Sequence, residues 1–261
     1  MAYRWRVGAL LALVALPAAA QDLADPRQDP CFSNPALRSL MDWVTLRFTF
    51  DAGKFVPDMA AGDFAPQGGK TPQFRPGLRG QALLAGDGSV AELFARGRNA
   101  TLGTRGAISL WVCPVDWKHD NGGNTTLAMT SNATFYVQRQ GPLQNADGSW
   151  ARLEALQFLM LVPEKGPGGL MEGTADWPNG RWRFVVANWS WPVMQLSLDG
   201  GDFAVFTVKS APADADFGEL VIGADGGDPT LVDELCFYRR PLTLAEVRLL
   251  YETLKPKEAV P

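Results

Sequence analysis

The chain has 261 residues, 46% hydrophobic and 20% charged, with a formal net charge of −4 at pH 7. That composition is enough for a core, and the mildly acidic balance argues against nucleic acid and anionic lipid as partners. A single histidine, His119, and three distant cysteines, Cys31, Cys113 and Cys236, exclude multi-histidine metal centres and zinc motifs built from close cysteine pairs.

Arg4 and Arg6 precede an apolar run, Val7 to Leu16, and then Pro17-Ala18-Ala19-Ala20. This is the anatomy of a secretory signal peptide, cleaved after Ala20; the apolar run is too short for a bilayer that needs roughly 20 residues. Residues 1–20 therefore read as a leader and the protein as secreted or periplasmic, with no membrane span. Residues 21–42 are polar, are broken by Pro26, Pro30 and Pro35, and read as a linker with a short helical turn. A single folded domain is expected over residues 43–254 and a tail over 255–261.

From Val44 the period becomes two. Val44, Leu46, Phe48 and Phe50 alternate with Thr45, Arg47 and Thr49, which predicts a half-buried strand. The Gly/Pro-rich stretch from Gly53 to Gly80 has no helical period, and loops of such length tend to be functional or to wrap the surface. Strand-like runs follow at 81–85, 90–94, 107–113, 125–130, 134–139, 153–162, 182–191, 193–199, 203–208, 220–223 and 231–238, with turn residues between them. Asp199-Gly200 is a hairpin signal, because the turn requires positive φ. The one clear helix comes last: Thr243 and Glu246 form a capping box, and Leu244, Val247, Leu250, Tyr251 and Leu254 share a face. Strands without interleaved helices predict an all-β antiparallel sandwich or barrel rather than an α/β fold.

Trp111, Trp117, Trp150, Trp177, Trp182, Trp189 and Trp191 crowd the middle of the chain. An indole is a natural platform for the apolar face of a sugar. Trp117, Trp150 and Trp177 fall in turn-rich segments that could present them at a rim, so these three are candidate ligand contacts. Tyr136 and Gln138 share one face of a predicted strand, with Arg139 on the other. A tyrosine there, with His119 nearby in sequence, is the kind of equipment a polysaccharide lyase uses, but further lyase motifs are missing. His119 itself reads as an exposed loop histidine. A retaining glycosidase needs two carboxylates on one face roughly 5 Å apart. Asp233 and Glu234 are adjacent and should point to opposite faces, and Glu154 stands alone. Cys113 and Cys236, both in strand-like segments, would form a disulfide if their strands are neighbours; Cys31 could instead pair, stay free or link two chains. Asn99, Asn124, Asn132 and Asn188 head glycosylation sequons, which carry little weight behind a leader that looks bacterial.

Taken in order, Phe48-Thr49-Phe50-Asp51, Gly80-Gln81-Ala82-Leu83, Gly86-Asp87-Gly88-Ser89-Val90, Ile108-Ser109-Leu110-Trp111-Val112 and Arg181-Trp182-Arg183-Phe184 are followed by Leu198-Asp199-Gly200, Leu220-Val221-Ile222-Gly223 and Val232-Asp233-Glu234-Leu235 through Tyr238-Arg239-Arg240-Pro241-Leu242-Thr243. This succession, from Val44 to Leu254, resembles the laminin G-like domains of the concanavalin A-like lectin/glucanase superfamily. The resemblance implies a jelly roll of two packed antiparallel sheets, one curved into a concave face, with a short C-terminal helix. It also implies a structural calcium ion where the first and last strands meet, at Asp51, Asp87 and Asp233. Asp225 with Gly226-Gly227-Asp228 is a weaker loop site. The function expected is that of an exported, non-catalytic module for a glycan or surface glycoconjugate. The alternatives are a diverged polysaccharide lyase or glycoside hydrolase of the same fold, and a protein–protein adhesion module binding an envelope protein.

Overall fold

The computed structural model describes residues 33–61, 71–86, 93–95, 103–120, 122–162, 166–208, 212–213, 219–223 and 226–256. The leader at 1–20, residues 21–32 with Cys31, and Asp87, Asn99, Asp225 and 257–261 lie outside them. A helical turn, α1 (Arg38–Met41), leads into β1 (Val44–Phe48). Next come β2 (Met59–Ala60), β3 (Phe74–Pro76), β4 (Gln81–Ala85) and β5 (Leu93–Ala95). The long β6 (Arg105–Pro114) precedes β7 (Thr125–Thr130), β8 (Phe135–Gln140) and the small hairpin β9 (Leu143–Gln144) and β10 (Trp150–Arg152). Then follow β11 (Ala155–Val162), β12 (Gly166–Thr174), β13 (Arg183–Ser190), β14 (Val193–Leu198) and β15 (Ala204–Thr207). The chain closes with β16 (Leu220–Ile222), β17 (Thr230–Tyr238) and α2 (Leu244–Leu254).

The strands form an antiparallel sandwich. One sheet has nine strands, β15-β14-β13-β6-β17-β1-β2, with β4 also on β17 and β3 on β4; the other has six, β12-β11-β8-β7-β16-β5. Strand β17 lies against β6 along one edge and is shared along the other, by β4 at Thr230–Val232 and by β1 at Leu235–Tyr238. The change of partner coincides with a bulge between Asp233 and Cys236, where Glu234 takes φ 48°. The described parts of the Gly53–Gly80 stretch add β2 and β3 to the nine-stranded sheet, and Phe55 tucks against Phe48 at 4.7 Å.

Apolar residues from the facing sides of the two sheets make the main core, among them Phe48, Leu110, Val185 and Phe237 from one and Phe135, Val137, Phe158 and Ile222 from the other. The outer side of the nine-stranded sheet is covered too. Leu37 and Leu40 beside α1 and Val247, Leu250 and Leu254 of α2 pack there with Trp111, Phe184 and Tyr238. Helix α2 begins as expected, with Thr243 and Glu246 completing the capping box, and Tyr251 stacks on Trp111 at 5.7 Å. The turn after β14 also follows expectation: Asp199 (φ 50°) and Gly200 (φ 73°) are both left-handed.

Two expectations are corrected here. Strand β1 is buried throughout rather than half-buried, because its outer face is covered; Arg47 is 3% exposed and held 2.8 Å from Glu234. Cys113 and Cys236 do not form a disulfide. Cys236 opposes Ser109 and Cys113 opposes Leu231, so four residues of strand, roughly 13 Å, separate their positions. Burial raises the Cys113 thiol to about 11, which keeps it protonated and unreactive.

Candidate functional site

Among the described residues no helix packs on the outer face of the six-stranded sheet, and burial alternates along β8. Tyr136 and Gln138 lie on that face and Arg139 turns inward, as the alternation requires. There Gln138 donates to Gln157 at 2.8 Å, and Gln157 donates to Gln140 and to Glu172 at 2.8 Å each. The amide ladder ties β8, β11 and β12 together across their surface.

Arg139 is the inward residue that the sequence leaves unexplained. It is 0% exposed, and a guanidinium in that position needs several acceptors. Its Nε donates to Glu154 Oε1 at 2.8 Å and its Nη2 to Lys118 O at 2.8 Å. Its Nη1 donates to Gly123 O at 3.0 Å and pairs with Asp228 Oδ2. Asp228 also accepts from the amides of Lys118 at 2.8 Å and Gly123 at 3.3 Å. Gly122 allows this crowding, since a Cβ there would stand 2.7 Å from Arg139 Nη2 and collide with Lys118 O.

Above the guanidinium lies a stack of rings. Arg139 sits 4.5 Å from the Trp117 ring, Trp117 stacks on Trp177 at 5.5 Å, and Arg183 covers Trp177 at 5.4 Å. Trp117 and Trp177 are each 2% exposed, and Trp117 Nε1 donates to Thr230 at 2.7 Å. The rim position expected for these two is therefore corrected. Both are core side chains reached from loops, and they bind loop to loop: Trp117 N donates to Asn179 Oδ1 at 2.8 Å.

Trp150, the third candidate, is 46% exposed. It borders a cavity of about 550 Å³ lined by His119, Pro142, Leu153, Glu154, Ala175, Asp176 and Pro178 as well. The walls come from the loop after β6, the β9–β10 hairpin, the start of β11 and the loop after β12. Glu154 bridges cavity and interior, with Oε1 on Arg139 and Oε2 2.6 Å from His119 Nδ1. Tyr136 and Gln138 are not among the lining residues. Sequence reasoning set Glu154 aside as a lone carboxylate and overlooked Asp176 and the anchoring role of Arg139. The available signal was a charged residue at an inward strand position, which demands opposite charge from elsewhere in the chain.

Asp233 and Glu234 do not diverge to opposite faces, because the bulge turns both toward the turn at 77–80. Asp233 Oδ2 accepts from Leu78 N at 2.8 Å and Arg79 N at 3.4 Å, and Glu234 Oε1 lies 4.0 Å from Arg79 Nε. Asp233 Oδ1 takes the Glu234 amide at 2.8 Å. Burial, and then the neighbouring Glu234 charge, push the Asp233 carboxyl up to about 8 despite these donors. Asp51 touches the same turn, since a Cβ on Gly80 would lie 2.6 Å from its Oδ1. The structure thus brings Asp51 and Asp233 to one turn, where Asp233 accepts from three backbone amides. Asp87 lies outside the described residues, and among those residues no group of three His, Cys, Asp or Glu side chains is placed to hold a metal. Asp228, the loop alternative, is engaged by Arg139.

A family model described as the concanavalin A-like lectin/glucanases superfamily matches residues 95–248. No curated protein matches the sequence. Among solved structures, the binding domain of botulinum neurotoxin DC in complex with SialylT superposes with a TM-score of 0.63 at 13% identity, over 83% of this chain and 52% of that one. A botulinum neurotoxin type C structure, whose cell entry is described as dependent on two ganglioside molecules, gives 0.61 at 12%, over 84% and 53%. Domain 4 of AbnA, a GH43 extracellular arabinanase from Geobacillus stearothermophilus, in complex with arabinotriose, gives 0.56 at 19%, over 80% and 98%. At these identities the likeness is one of fold. The chain spans about half the length of the toxin chains it matches and nearly all of the arabinanase domain. No helix among the described residues is long and apolar enough to cross a membrane.

Proposed function

Because the chain belongs to the concanavalin A-like lectin/glucanases superfamily, we propose that it is an exported, laminin G-like binding module that holds a glycan or surface glycoconjugate in the cavity beside Trp150 and performs no chemistry on it. The observation that carries this reading is an indole left 46% exposed at the mouth of a cavity of about 550 Å³, on a protein whose other central tryptophans are packed away. An exposed ring and proline walls suit the apolar face of a sugar, and a few polar groups orient its hydroxyls. The glycan-bearing complexes named for the toxin and arabinanase domains add support at the level of ligand class.

The enzymatic alternative draws on the pairing of His119 with Glu154. Both oxygens of that carboxylate are already committed, one to Arg139 and one to His119. With both oxygens so engaged, it is poorly placed to serve a leaving group. The test is a glycan array followed by calorimetry on the full chain and on Trp150→Ala, with product analysis of every bound sugar. Binding lost in Trp150→Ala, with no new reducing ends or unsaturated products, is expected; turnover of a bound sugar would overturn the reading. A structural calcium ion at Asp51, Asp87 and Asp233 belongs to this reading as well, and thermal melts with and without a chelator test it, a lower melting temperature with chelator being expected.

A further inference from the structure

Carboxylates dominate the polar side chains of the cavity. Five lining residues, Pro142, Trp150, Leu153, Ala175 and Pro178, are non-polar, and the polar ones are His119, Glu154 and Asp176. His119 Nδ1 lies 2.6 Å from Glu154 Oε2, and its proton is spent on that contact. The two carboxylates offer acceptors to a ligand. Asp176 is exposed, and no ion pair compensates it among the described residues.

No lysine or arginine is among the lining residues. Arg139 is fully buried and neutralised by Glu154 and Asp228. Lys118 turns onto Asp116 at 2.6 Å, and Arg152 Nε donates to Gly141 O at 2.8 Å. A ligand in the cavity therefore meets two carboxylates and no lining cation over an aromatic and proline surface.

We propose that this cavity selects sugars that bring donors, namely neutral or amine-bearing saccharides, and refuses those carrying carboxylate or sulfate. The inference rests on the glycan reading above and narrows it, separating an arabinotriose-like ligand from a sialylated one. A neutral sugar offers hydroxyl protons, and vicinal hydroxyls can donate together to the two oxygens of Asp176. An acidic sugar adds a further acceptor and a like charge, leaving groups unmatched at a cost of roughly 10- to 100-fold in affinity.

Calorimetry on the full chain with arabinotriose, a glucosamine trimer and a galacturonate trimer at neutral pH tests this. The first two are expected to bind at least about 10-fold more tightly than the third. Asp176→Asn, whose amide supplies N–H donors and removes the charge, should narrow that gap. Galacturonate binding as tight as that of the neutral probes, yet lost in Trp150→Ala, would overturn the selectivity while leaving the cavity as a glycan site. Binding that ignores Trp150→Ala, or no binding of any probe, would overturn the glycan reading of the cavity and this inference with it.

Discussion

The central strands β6, β13 and β17 of the nine-stranded sheet are covered on both sides, by the partner sheet on one and by α1 and α2 on the other, whereas among the described residues no helix packs on the outer face of the six-stranded sheet. The burial patterns record the difference. Strand β17 is buried at every position, while β8 alternates. Central residues of the first sheet are thus committed to holding the sandwich together, while its edge strand β15 stays exposed. The second sheet and its bordering loops carry the side chains still available to a ligand, Trp150 foremost.

This division can be broken or sharpened by substitution. The largest loss of stability is expected for Trp111→Ala, which removes the ring beneath Tyr251: about 3–5 kcal/mol by urea denaturation, with sugar affinity of the folded protein unchanged. Arg139→Met, where sheet and cavity meet, leaves Glu154 and Asp228 without their shared cation. Because those carboxylates are 9% and 14% exposed, the expected loss is about 3 kcal/mol, near the low end for a broken buried pair. Unlike Trp111→Ala, it should also weaken sugar binding by releasing His119 and its loop.

A smaller effect concerns Asp233. The folded chain keeps its proton up to about pH 8, while the ordinary value for an unfolded aspartate is 3.8. Stability should therefore be greatest at the acidic end of that window and decline as pH rises through it, levelling off above. Asp233→Asn, which cannot ionise, is expected to flatten the profile in a series of thermal melts across this range. The smallest stability change belongs to Trp150→Ala, within about 0.5 kcal/mol, even though it should cost at least about 10-fold in sugar affinity. A large stability loss there would show that Trp150 is structural after all.

Local rules made much of the fold legible. The Asp199-Gly200 turn and the Thr243 capping box were readable because each depends on a few adjacent residues. Strand β12 was not: Gly166, Pro167 and Gly169 look like a loop, and the strand tolerates them because it lies at the edge of its sheet. The cavity was harder still. Trp117 and Trp177 lie in loops, and loop membership says nothing about burial once two loops close over each other's rings. The pairing of Arg139 with Asp228 joins residues 89 positions apart, a relation that no local pattern encodes. Only Trp150 among the three proposed indoles sits where the reading put it, exposed beside a cavity.

Strand β17 has a consequence for how the molecule comes into being. It is the common neighbour of β6, β4 and β1, although Val44 must wait for Tyr238 before it finds its partner. Such remote pairing is slow, since the whole intervening polypeptide has to be gathered in first. Until residues 230–238 emerge, β1 and β6 lack the strand that joins them, while pairs such as β13 with β14 can already close. The seam of the nine-stranded sheet is thus sewn by its last strand in chain order.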